Sequence, residues 1–202
     1  MFYKHFLLRT FRYGGLMLQG LTAQEAPDCV QLLIVGQLQR CLGDEDLVEL
    51  VVKHNLLTPL ISNLEAELAV AKEVTRWAVS LAESRLGLAR LTSAETVGQL
   101  TGISQRSSVL QMRVLDLVVK VAQISEDHLE AVRATELLCQ LPEILASSDF
   151  LLQLNSIELL TDLALTSHGQ KYLETTGVFT SLNTMLLDCP NLPFGHILLP
   201  SE

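Results

Sequence analysis

The chain has 202 residues, of which 49% are apolar but only 5% aromatic, and it is sparse in Pro (6) and Gly (11). It is long enough to bury a core, and this Leu-dominated mix suits helices and disfavours strands. A net charge of −9 repels phosphate backbones and argues against nucleic acid as a partner, and no apolar run approaches the roughly 18 residues that span a bilayer.

Residues 1–20 carry Lys4, Arg9 and Arg12, no acid, and Phe2, Tyr3, Phe6, Phe11 and Tyr13. They read as an irregular basic and aromatic lead-in. Arg9 and Arg12 interrupt any secretory apolar core, while a mitochondrial presequence stays open as an alternative. From there the chain repeats. Leu60, Leu100, Leu141 and Leu182 stand 40, 41 and 41 residues apart, and Leu56, Thr96, Leu137 and Val178 keep the same pitch. A third column runs through Cys41, Leu81, Val121 and Leu163. A period near 41 residues is the mark of a helical repeat array.

Thr22 to Glu25 has capping-box spacing, and Pro27 and Asp28 introduce a first long helix with Val30, Leu33, Ile34 and Leu38 as its stripe. Gly43 ends it and Asp44 caps a short helix with Leu47, Leu50 and Val51 inward. Asn55 supplies a left-handed stop, and Leu56, Leu57, Leu60, Ile61 and Leu64 form a third helix. The second triplet places Val70, Val74, Trp77 and Leu81 inward on a long helix from about 67 to 83. A short helix at 87–91 and a third opened by Ser93 or Glu95 follow. In the next, Ser107 or Ser108 and then Ser125 are caps, and Pro142 must start, kink or split the helix of Leu137, Leu138, Leu141 and Leu145. In the last, Ser148 and Asp149 precede Leu151, Leu152, Leu154, Ile157, Leu160 and Leu163. Ser167 with Gln170 forms a capping box, and Gly177 allows the turn before Val178.

The expected fold is therefore all-α, an armadillo/HEAT-like right-handed superhelical solenoid of about four three-helix repeats, at 27–64, 67–104, 107–146 and 148–187 within an array of 21–188. Residues 189–202 read as the truncated start of a further repeat. No polar C-terminal cap is evident, which predicts a fragment or short isoform of a longer array.

Chemistry-bearing motifs are missing. Neither HxxxH, HExxH, a P-loop, GxGxxG nor GxSxG occurs. Glu45 with Asp46 and Glu126 with Asp127 fall in first turns, where acids complement the helix dipole. Cys29, Cys41, Cys139 and Cys189 form no CxxC pair and read as reduced, buried, small hydrophobes of a reducing compartment, cytoplasmic or also nuclear. No enzyme, cofactor or metal site is expected. Third helices line the concave face of such stacks, so their polar residues are the candidate partner contacts: Asn55, Asn63, Gln99, Thr101, Gln140, Glu143, Asn183 and Thr184.

The stretch Ser167 to Leu173, followed by Gly177 and Val178, resembles the proteasome base-assembly chaperone family, that of 26S proteasome non-ATPase regulatory subunit 5. Val70 to Lys72, Gly87 to Leu91, and Arg113 with Val114 add to it, and the similarity extends from about Gly20 to Leu199. The resemblance implies a cytosolic, non-catalytic chaperone on an armadillo/HEAT-like solenoid. It would bind the C-terminal domain of a proteasome base ATPase subunit during regulatory-particle assembly and leave before the mature particle forms. The matching residues are scaffold and carry no binding role. A generic armadillo adaptor gripping an extended peptide is the alternative, although Trp77 lies in the wrong helix for it.

Overall fold

The computed structural model describes residues 27–39, 42, 45–53, 55–180 and 182–183. Among them every regular element is helical. They fall in two compact units divided between Leu138 and Cys139, inside the third triplet.

The first unit begins with α1 (Asp28–Gln39), α2 (Glu45–Lys53) and α3 (Leu57–Ser62), which runs on into a 3-10 turn, Asn63–Glu65. Next come α4 (Leu68–Ala82), α5 (Arg85–Leu91) and α6 (Ala94–Ser104), then α7 (Ser108–Ala122) and α8 (Glu126–Arg133). Long first helices pack in order, α1 on α4 and α4 on α7, while α2 packs on α5 and α3 on α6. In these four pairs a helix meets its own counterpart one repeat away, which is the armadillo/HEAT-like layering. The seams are the predicted leucine columns. Leu56, Leu57, Leu60, Ile61, Leu64, Val70, Val74, Trp77, Leu81, Leu100, Val114, Leu117 and Val121 are all buried.

Local signals explain where each helix begins. Ser84, Ser107 and Ser125 accept from the backbone N–H groups of Gly87, Leu110 and His128, and Ser93 accepts from Thr96. Each satisfies a donor that a first turn leaves orphaned. Between second and third helices the chain turns through left-handed residues, Asn55 (φ 51) and Glu136 (φ 61), with Gly177 (φ 72) at the matching place in the second unit.

That second unit holds the end of a 3-10 turn (Leu137–Cys139), α9 (Gln140–Leu145), α10 (Phe150–Ala164) and α11 (Ser167–Thr175), with 178–180 helical. Pro142 sits in the first turn of α9, where its missing N–H costs nothing, so it starts that helix after the 3-10 turn. Asp149 caps α10 by accepting from Leu151 and Leu152. Contacts run from α9 to α10 and from α10 to α11.

Several expectations need correction. The cap of α11 is Thr166, accepting from Gly169, and Ser167 is already helical. In α1 the inward residues are Gln31, Ile34 and Val35, while Val30 and Leu33 are exposed. The face that meets α4 is rotated by about one residue from the predicted stripe. In α10 the inward set is Ser156, Leu159, Leu160 and Leu163, at helical spacing, and Leu151, Leu154 and Ile157 lie on the other side. Cys29 and Cys139 are exposed, not buried. Cys139 falls one residue outside the buried run of Leu137 and Leu138. Cys41, Asp44, the sequence before Pro27 and the segment from 184 onward lie outside the described residues. Among the described residues no helix is long and apolar enough to cross a membrane.

Candidate functional site

The third-helix surface of the first unit is built from α3 and α6. Its polar side chains form a ladder between repeats. The Gln99 amide donates to the Thr58 carbonyl at 2.7 Å and to Ser62 Oγ at 2.9 Å. At the N-terminal end of the ladder, Asn55 Nδ2 donates to Glu95 Oε1 at 3.3 Å, and Arg90 donates to both Asn55 Oδ1 and Glu95. Thr58 adds a hydroxyl bond to Asn55 Oδ1 at 2.9 Å. At the far end the Arg106 guanidinium pairs with the Glu65 carboxylate. The Glu95 carboxyl is held below the usual carboxylate range, first by the Arg90 hydrogen bond, then by Asn55, then by the Arg90 charge.

Similar links tie the layers elsewhere. Gln39 Nε2 donates to Ser80 Oγ at 2.8 Å, and Arg113 Nη1 donates to the carbonyls of Leu64 and Ala66, both at 2.7 Å. His128 bonds the Ala82 carbonyl through Nε2 at 2.9 Å. A carbonyl only accepts, so Nε2 carries a hydrogen, and Nδ1 meets Ser125 Oγ at 2.7 Å.

The candidate contacts therefore differ from one another. Asn55 and Gln99 are brought together in the ladder. Asn63 is not outward-facing: it is 8% exposed, and its amide donates to the Pro59 carbonyl at 3.1 Å. That bond closes the last turn of α3 where the helix tightens to 3-10. Thr101 is half-buried on α6, between Gly98 and Gly102, where a Cβ would meet nothing within 4 Å. Gln140 is half-buried and Glu143 exposed, both on α9 in the second unit. Asn183 is exposed, and Thr184 lies outside the described residues. Arg90, Glu95, Ser62, Glu65 and Arg106 were missed by sequence reasoning. Glu65 with Arg106 and Asn55 with Glu95 stand 41 and 40 residues apart, one repeat, whereas Ser62 with Gln99 and Asn55 with Arg90 stand 37 and 35 apart and fall off that period. Among the described residues no group of His, Cys, Asp and Glu could hold a metal ion.

Stacked triplets with a polar third-helix face define a helical-repeat protein of the armadillo/HEAT-like class. A crystal structure of an engineered protein shares this fold, with a TM-score of 0.52 at 18% identity over 84% of this chain and 72% of that one. The family model described as proteasome non-ATPase 26S subunit matches residues 10–202, and the chain belongs to that family. It is similar to 26S proteasome non-ATPase regulatory subunit 5 of Homo sapiens, 26% identical over 86% of this chain and 35% of that protein. The Mus musculus protein of the same name is 27% identical over 90% of this chain and 36% of its own length. The chain thus spans about a third of the length of the curated relatives it matches.

Proposed function

We propose that the chain acts as a non-catalytic assembly chaperone for the base of the 26S proteasome regulatory particle, holding the C-terminal domain of an ATPase subunit against its third-helix surface. The observation that carries this reading is the family match over residues 10–202. The layered repeats of the first unit are consistent with it, because such stacks offer extended surfaces for a partner protein. The mechanism would be steric: the repeats cover the ATPase domain and delay its docking until other subunits arrive. The same reading expects a cytoplasmic protein, or one also nuclear.

Asn55, Gln99, Thr101, Gln140, Glu143, Asn183 and Thr184 are the proposed contacts, and Asn63 is set aside because it is buried against its own helix. Asn55 and Gln99 also serve the fold, so Thr101 and Glu143 discriminate best. Affinity purification of the full chain at native expression is expected to recover base ATPase subunits without the intact 26S particle. Thr101→Ala with Glu143→Ala should lower that recovery and leave the melting temperature unchanged. Recovery of no ATPase subunit would overturn the proposal. The adaptor alternative gains nothing from Trp77, which is wholly buried in α4.

A further inference from the structure

Phe150, Leu151 and Leu154 on α10 are 61%, 68% and 50% exposed. Their positions face solvent elsewhere in the array. Aligned on Leu163, Val121 and Leu81, Phe150 corresponds to Ser108 and Leu68, Leu151 to Val109 and Ala69, and Leu154 to Met112 and Lys72. In α4 and α7, which are packed on their neighbours, these counterparts are exposed, or half-exposed at Met112. Ile157 is different, since its counterparts Thr75 and Leu115 are buried in the stack. The fourth repeat fills all three positions with large apolar groups, whereas α4 mixes Leu68 with Ala69 and Lys72 and α7 mixes Val109 and Met112 with Ser108. Leu165, 75% exposed, continues the pattern where Glu83 and Gln123 stand.

A contiguous apolar stripe on a solvent-facing helix side marks an interaction site. The spacing of 150, 151 and 154 presents one helix face, suited to an amphipathic helical partner. Charge selects the kind of partner. From Cys139 to the C-terminus the one Lys or Arg is Lys171, against Glu143, Asp149, Glu158, Asp162 and Glu174 among the described residues. Asp149 and Glu158 lie on α10 or at its cap, beside the stripe. An acidic frame repels a second copy of this chain and an anionic lipid surface, and attracts a cation-bearing one. We infer that the Phe150, Leu151 and Leu154 face of α10 is a docking surface for a cationic amphipathic helix of a partner protein. This surface lies on a first helix and does not depend on the partner proposed above.

The test titrates the full chain against a fluorescein-labelled synthetic amphipathic helix of Leu and Lys, with a Leu and Glu helix of the same pattern as control, read by anisotropy. The Lys peptide should bind and the Glu peptide should not. Leu151→Ser with Leu154→Ser should weaken binding by about tenfold or more, as loss of buried anchors does. Glu158→Gln should weaken it less and flatten its salt dependence. Val109→Ser, on α7, should change nothing. Melting temperatures should not move, because the substituted groups are exposed. The inference is overturned if the Lys peptide does not bind, if the double variant binds as tightly as the parent, or if both peptides bind alike. A fall in melting temperature of the double variant, or a dimer in sedimentation velocity that the double variant abolishes, would overturn it too.

Discussion

Glu136 turns the backbone at φ 61 between α8 and the 3-10 turn that follows. A left-handed conformation costs a residue with a Cβ about 1–2 kcal/mol, and glycine escapes most of that. Glu136→Gly should therefore stabilise the chain by about 1 kcal/mol, seen as a higher urea midpoint at unchanged slope. Gly87 poses the reverse case. A Cβ built there would stand 1.9 Å from the Leu81 carbonyl oxygen, and one at Gly169 would stand 1.9 Å from that of Leu163. The short second helix leaves its cap so close to the end of the first that only hydrogen fits. Gly87→Ala forces main chain apart and should destabilise by about 1–3 kcal/mol or more on the scale of an overpacked core, read from the same urea transition. At the matching place in the third repeat stands His128, so the column is not obligatory glycine. There the imidazole reaches back to Ala82.

Elements were largely legible because caps and apolar periods are local signals. Ser93, Ser107, Ser125 and Asp149 cap their helices, and Leu68 to Ala82 forms the long helix with its predicted inward face. The apolar stripes of α1 and α10 were less legible, since Leu sits on both sides of each helix and periodicity alone cannot say which side meets a neighbour. The polar ladder was hidden for another reason: its bonds join different repeats, and a single helix carries no trace of them. Arg90, Asn55 and Glu95 show the consequence. Folding lowers the Glu95 pKa, so its carboxylate contributes stability above the unfolded-state value, and that contribution disappears as pH falls through the lower, folded one. Glu95→Gln should accordingly flatten the loss of stability on acidification below neutral pH, measured by urea unfolding across an acid series. An unchanged acid profile would remove this network from the account of repeat coupling.

For the molecule as a whole, the 41-residue period already implied stacked three-helix layers, and the first unit has that layering. The candidate contacts were less legible. Asn63 and Gln99 carry polar side chains on third helices, as partner-binding residues would, yet Asn63 caps its own helix and Gln99 fastens neighbouring layers. Sequence position alone cannot separate a residue that waits for a partner from one that is already employed within the fold. Several of those fastenings share an asymmetry. Gln99, Arg113 and His128 each reach a main-chain carbonyl, at Thr58, at Leu64 and Ala66, and at Ala82. Every amino acid supplies a carbonyl, so mutation at the accepting position leaves these clasps their oxygen, and only the reaching residue is open to loss. Such a chain can drift far in the identity of half its joints while the layers stay in step.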